Sequence, residues 1–486
     1  MNAKKLFSKW SLGLLLFGFG LVSNANNLQI SGTAVSGSNI SFNISWENSW
    51  NTNIAPANWD AVWVFVKYQD CATRQWYHAA IATTGNTAAS PLQVDLVPDA
   101  KGVFLRRSAF GGGDIASTAI TLALNIPAGT YNYKVFGIEM VNIPQGDFQV
   151  GDATSTGTYS SATITASSQS GGLSAATLGG ASVNIPATFP MGYNSFYSMK
   201  YEVTQEQYVE FLNTLTYDQQ KERTGIDPIA APGTGAFTTG SQYRNGVTLI
   251  TSGNNSTLPA VFACDATAGV ENNVDDGQNI AMNWMSWADL AAYLDWACLR
   301  PMTELEFEKI CRGTAPRVAG EYPWGTTDFN YYSTGSIVGG TGFKSNENIS
   351  TIVNGRNLWS NSGVVAGAGY GPCRVGMFAT SVTGRSSSGA AYYGVMEMAG
   401  NVWERTVTTG NATGAAFTGA LGDGTLTVLG DADVATWPSS TTALGLGLRG
   451  NGYYNTSANP SRTSDRTNAT TASPTRSYTY GGRGVR

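Results

Sequence analysis

Two units of different fold class are predicted: an all-β, sandwich-like domain over residues 26–136, then a loop-rich α+β domain over 137–486. Three observations predict them. Short β-rich runs broken by Gly, Asn and Pro fill the first part. Three helix-start signatures lie in the second part, and long Gly-, Ser-, Thr- and Asn-rich stretches separate them. A chain of 486 residues also exceeds what one ordinary hydrophobic core organises.

The chain opens with a segment that reads as a secretory signal peptide over 1–25. Lys4, Lys5 and Lys9 form its positive end, Leu12 to Val22 its apolar run, and Ser23-Asn24-Ala25 a small-x-small cleavage site. The apolar run falls well short of the roughly 20 residues a membrane-crossing helix needs. No other transmembrane candidate follows. The formal charge of -5 becomes more negative once the three lysines leave, so nothing draws the chain electrostatically to nucleic acid. With 58 Gly and only 28 Lys plus Arg, the composition is that of a loop-rich secreted or cell-surface protein, with periplasmic retention as the variant. The 13 Trp, 22 Tyr and 19 Phe supply enough apolar material to exclude wholesale disorder.

In the first domain, Leu28-Gln29-Ile30, Ile40 to Ile44, Val62 to Val66, Ile120 to Leu124 and Tyr131 to Phe136 read as strands. Short strands with frequent turns indicate a sandwich. Trp46, Trp50, Trp59, Trp63 and Trp76 read as core or edge-packing residues first, carbohydrate-stacking residues second. The second domain begins near Met140 to Phe148, with 153–182 read as an inserted surface loop. Its first helix starts at Thr204, with Gln207 three residues on and Tyr208, Phe211, Leu212 and Leu215 as the apolar stripe. Ser286 caps the second, with Asp289 at the third position and Leu290, Tyr293, Leu294 and Ala297 inward. Thr303 caps the third, with Glu306 as its partner and Phe307 and Ile310 inward. Five cysteines in an oxidising compartment predict disulfide pairing, with Cys71 left over.

An ordered set of motifs runs through the second domain: Ile143-Pro144 to Gly151, Tyr201 to Thr204, Ser286-Trp287, Arg300 to Glu308, Tyr322-Pro323-Trp324-Gly325, Gly400-Asn401-Val402-Trp403-Glu404 and Gly482 to Arg486. In this set the domain resembles the formylglycine-generating-enzyme-like, or sulfatase-modifying factor, family. The resemblance implies a C-type-lectin-like α+β fold. It also implies copper-dependent chemistry on a C-terminal cysteine pair, yet after Leu448-Arg449-Gly450 the chain runs Asn451-Gly452-Tyr453-Tyr454-Asn455 and holds no further cysteine. Soft thiolates select Cu(I), so no copper centre is expected. The family's iron-dependent branch uses several histidines, and this chain has one, His78, so no iron centre is expected either. The resemblance further implies a structural Ca2+ held by Asn401, the Val402 carbonyl and Glu404, since hard oxygen donors suit calcium.

With no catalytic or cofactor-binding residue to assign, the expected function is a non-catalytic secreted or surface module. Its partners would be an extracellular protein, a glycan or an envelope assembly. Its expected binding surface is Tyr453, Tyr454, Asn455, Arg462 and Arg466, because Tyr and Arg combine contact area with polar reach. The alternative is a divergent metal-dependent oxidase of the family with a relocated active site.

Overall fold

The computed structural model describes residues 27–486 apart from 153–156, 238–241, 256, 268, 332–336, 339–346, 350, 360–363 and 366–368. The predicted signal segment, 1–25, lies outside the described residues. Strands β1 (Gln29–Ser36), β2 (Asn39–Asn51), β3 (Asp60–Asp70), β4 (Leu92–Leu96), β5 (Val103–Arg107), β6 (Gly111–Asn125) and β7 (Tyr131–Ile143) account for every strand read from the first part. β1, β2 and β6 form an antiparallel sheet, edged by two short strands on β6.

The second sheet overturns the predicted fold class. It has eight strands, and β7 is shared by both predicted domains. From Tyr131 to Val141, β7 pairs antiparallel with β3. From Met140 to Ile143 its other edge pairs with β8 (Phe196–Met199), which leads through Gly484–Val485 to β9 (Arg300–Pro301). Position 136/137 falls inside a strand. The structure therefore has no separate preceding β-sandwich domain and no separate C-type-lectin-like domain; one continuous fold spans most of the chain.

Side-chain alternation explains why the parts fuse. Along β3, Val62, Val64 and Val66 face β2 and β6, where Ile40, Phe42, Ile44, Trp46, Ile120 and Leu122 complete one core. Trp63 and Phe65 point the other way and pack with Phe136, Ile138, Phe211 and Trp296. Both faces of β3 are buried, which gives its near-continuous apolar run. Trp63 donates its indole N–H to the Ala297 carbonyl at 2.9 Å and lies under the Arg486 guanidinium, so β3, Ala297 and Arg486 meet on one ring. Trp46 and Trp63 are buried core residues; Trp50, Trp59 and Trp76 are half-buried.

Helices α1 (Gln205–Leu212), α2 (Trp287–Trp296) and α3 (Glu304–Arg312) start where the sequence places them. Each has a complete reciprocal capping box: Thr204 with Gln207, Ser286 with Asp289, Thr303 with Glu306. The segment read as an inserted loop contains two short helices, Ala166–Gly171 and Ala175–Leu178, because Thr165 and Ser174 cap them with their hydroxyls. The expected disulfides are absent, which corrects that reading. All five cysteines are free thiols, Cys71 exposed and the other four buried. Burial pushes Cys298 up to about 12 and Cys373 to about 11, so neither is a thiolate near neutral pH.

Because β7 serves both parts, residues 27–136 and 137–486 expressed separately should each fail to fold, and the intact chain should unfold in one thermal transition. Two resolved calorimetric transitions would show separable domains.

Candidate metal centre

Strand Trp403–Val407 pairs antiparallel with Leu446–Arg449 and parallel with Tyr480–Gly481, which brings the Asn401–Glu404 loop to the middle of the molecule. Both Glu404 oxygens accept from Arg483, Nε at 2.8 Å and Nη2 at 2.7 Å, and both side chains are buried. Asn401 adopts a left-handed backbone, φ 60. Its Oδ1 accepts from the Cys373 amide at 2.8 Å, and its Nδ2 donates to Glu202. The Val402 amide donates to the same Glu202 carboxylate at 3.0 Å. A cation at Asn401, Val402 and Glu404 would have to take Glu404 from a guanidinium that already holds it on both oxygens.

The proposed C-terminal surface does not present its residues together. Tyr453 is buried and donates its hydroxyl to the Tyr478 carbonyl at 3.3 Å. Arg466 grips Glu304 at 2.7 and 2.8 Å, reaches the Gly180 carbonyl and stacks on Tyr159. Burial pushes Glu304 up, but Arg466 and Arg449 outweigh it and hold Glu304 at about 2. Tyr454 is half-buried, and Asn455 and Arg462 line a cleft of about 590 Å³ beside Asp465.

A different group converges. Asp295, Asp423 and Asp433 each bring a carboxylate oxygen within 4.8 Å of the others, Asp295 buried and the other two exposed. Asp295 stands in the last turn of α2, and its two oxygens accept the backbone N–H groups of Asp423 at 2.9 Å and Asp433 at 3.0 Å. The buried carboxylate thus folds the 423–433 loop back on itself and sets the two exposed acids beside it. Glycine permits the approach: a Cβ on Gly422 would stand 2.4 Å from the Asp295 Cα, and one on Gly424 2.4 Å from His78 Nδ1.

Behind Gly424 lies a buried trio. Lys67 Nζ donates to the Gly424 carbonyl at 3.0 Å and sits 3.3 Å from His78 Nδ1. His78 stacks on Phe65 and approaches the Cys298 sulfur at 3.6 Å. Burial pulls Lys67 down to about 8, against the pull of Cys298 and Asp295. Burial also pushes Asp295 up to about 6; its two backbone donors oppose this, and the neighbouring acids add to it. No salt bridge to Asp295, Asp423 or Asp433 occurs among the described residues. Sequence reading missed the cluster because 128 residues separate Asp295 from Asp423; the only local signal was acid in Gly422-Asp423-Gly424 and Asp431-Ala432-Asp433.

Residues 133–486 match the family described as Sulfatase-modifying factor enzyme 1-like domain. No curated protein matches the chain. These findings correct the expected function. A chain of this family with a carboxylate cluster able to coordinate a metal ion is not read as a purely structural or protein-binding module.

The Asp295 shift has a sign that can be measured. Its folded value, about 6, lies above the ordinary 3.8. Between these values the native state binds more protons than the unfolded state, so stability falls as pH rises from about 4 to about 6. Chelator-treated protein should lose thermal stability over that window, and Asp295→Asn should flatten the loss. An unchanged slope in the variant would remove Asp295 as its source.

Proposed function

The chain belongs to the Sulfatase-modifying factor enzyme 1-like family, and we propose that within it this protein is a divergent metal-dependent oxidase with a relocated active site at Asp295, Asp423 and Asp433. The convergence of these three carboxylates carries the reading. Burial of Asp295 and its repulsion by the other two leave negative charge that a cation would neutralise.

The donor set decides which ions suit it. Copper wants soft thiolates, and none follows Leu448, so no step is derived through copper. Carboxylates select hard cations such as Ca2+, Mg2+ and Mn2+. Ca2+ satisfies the donors and would be the structural occupant; an oxidase requires an ion that changes oxidation state, which commits this reading to Mn2+. When bound, the ion would supply positive charge and a redox couple. The protein's own residues do the rest. Asp295 orients the loop, Asp423 and Asp433 face solvent where a substrate can approach, and Lys67 exchanges its Nζ proton in the mildly alkaline range. Among the described residues no helix is long and apolar enough to cross a membrane. The charged, apolar start of the sequence supports the exported location we propose.

Titration calorimetry on chelator-treated full-length protein tests the site. Mn2+ should bind saturably at one site, and Asp423→Asn/Asp433→Asn should weaken it by about tenfold or more, roughly 1.4 kcal/mol. Dioxygen uptake with a cysteine-containing peptide should depend on added Mn2+. Saturable Ca2+ binding without Mn2+-dependent uptake would leave a structural site and sink the oxidase; absence of saturable binding by either ion would sink both.

A further inference from the structure

Two consecutive carbonyls of the loop that carries Asp423 are held by residues that precede the matched span, 133–486. Lys101 Nζ donates to the Asp423 carbonyl at 2.6 Å, and Lys67 Nζ donates to the Gly424 carbonyl at 3.0 Å. His78 joins the two lysines. Its Nε2 lies 2.6 Å from the Lys101 carbonyl, and its Nδ1 lies 3.3 Å from Lys67 Nζ. A carbonyl only accepts, so Nε2 carries the ring proton and Nδ1 accepts from the Lys67 ammonium. Burial and the Lys67 charge hold His78 well below its ordinary value, which keeps the imidazole neutral in this tautomer. The contacts close a ring that runs from the Asp423 carbonyl through Lys101, His78 and Lys67 to the Gly424 carbonyl.

The same stretch is fixed from its other side. Gly422 donates its N–H to the Leu299 carbonyl at 2.8 Å, and Gly424 donates to the Asp295 carbonyl at 3.0 Å. The Asp423 N–H goes to Asp295 Oδ1 at 2.9 Å, and the Thr425 N–H to Asp423 Oδ1 at 2.9 Å. The end of α2 and Leu299 beyond it thus supply the acceptors, and the lysine–imidazole ring supplies the donors. Held from both sides, the exposed Asp423 carboxylate stands beside buried Asp295 before any ion arrives. A ligand group set in place beforehand spares a cation the cost of ordering the loop.

We propose that Lys67, His78 and Lys101 are positioning residues for the metal centre, which set the Asp423 carboxylate against Asp295 in the metal-free protein. The role rests on the metal-binding reading above and adds regulation to it: residues 67 to 101, ahead of the matched span, set the affinity of a site whose carboxylates lie within it. Charge gives the role a sign. A lysine acting only as a like charge beside a cation site weakens binding, so its removal tightens it. A lysine that holds a ligand group in place does the opposite, and its removal weakens binding.

Mn2+ titration of chelator-treated full-length protein by calorimetry tests this. It is run at about 1 M salt, where a Debye length of about 3 Å screens the partly exposed Lys101. Wild type should bind saturably. Lys101→Met should fold normally and weaken Mn2+ binding by about fivefold or more, and Lys101→Arg, which keeps a donor, should restore most of it. His78→Phe changes no charge, preserves an aromatic ring against Phe65 and should weaken binding as far. In the metal-free state, hydrogen exchange at the Asp423 amide should quicken in Lys101→Met and His78→Phe but not in Lys101→Arg. Mn2+ binding as tight as wild type, or tighter, in both weakened variants overturns the role and leaves the metal centre standing. Wild type that binds no Mn2+, with faster Asp423 exchange in the variants, removes the centre itself and leaves the ring a loop anchor only.

Discussion

Buried guanidinium groups hold this molecule together. Much of the chain beyond β7 is loop, with few ladders to satisfy its backbone, and Arg244, Arg312, Arg405, Arg449 and Arg483 are fully buried within it. Each supplies a planar fork of donors that ties distant segments at once. Arg312 reaches Glu308, Glu321, Ser464 and the Gln149 and Gly151 carbonyls. Arg449 joins Glu304 and Glu308 of α3 to the Thr463 carbonyl. Removing one partner of such a pair strands a charge in a dry interior and costs about 3–5 kcal/mol, more than most single contacts contribute.

That constraint also marks where function lies. The family-like motif at Arg300 to Glu308 is rich in acid, yet Glu304, Glu306 and Glu308 all find arginines. Glu404 does too. Acids engaged this way are architecture. Among the described residues no salt bridge reaches Asp295, Asp423 or Asp433. Lack of an ion pair does not by itself mark a site, because buried Glu202 and Asp276 are held by hydrogen bonds alone; what sets the three aspartates apart is that they converge.

Local features were legible in the sequence, and long-range pairings were not. Thr204, Ser286 and Thr303 announced their helices because capping is a contact over three residues. The strands of the first part were equally plain from their apolar alternation. The fold class failed at Tyr131 to Ile143, where only Tyr131 to Phe136 reads as a strand and the continuation reads as the start of a second domain. Nothing in those residues says that one edge pairs with Asp60 to Asp70 and the other with Phe196 to Met199. The motif around Glu404 is local and legible, whereas its partner Arg483, 79 residues away, is not. The Asp cluster was hidden for the same reason, since one loop must fold back against the end of a helix before the acids share a place.

The fused sheet and the Asp295, Asp423 and Asp433 cluster are one arrangement. β3 carries Lys67, and Trp76–His78, paired with β3, carries His78. α2 carries Asp295 and presents Trp296 to Phe65 on β3. Cys298 follows α2 directly and meets His78 across the junction. The part of the chain that matches the family begins at 133, so the strands supplying Lys67 and His78 lie outside the match. Family residues thus provide the carboxylates, and the preceding strands provide the ammonium and imidazole behind them. Bringing these side chains together needs both parts of the chain held in register, and that is what sharing β7 between them secures.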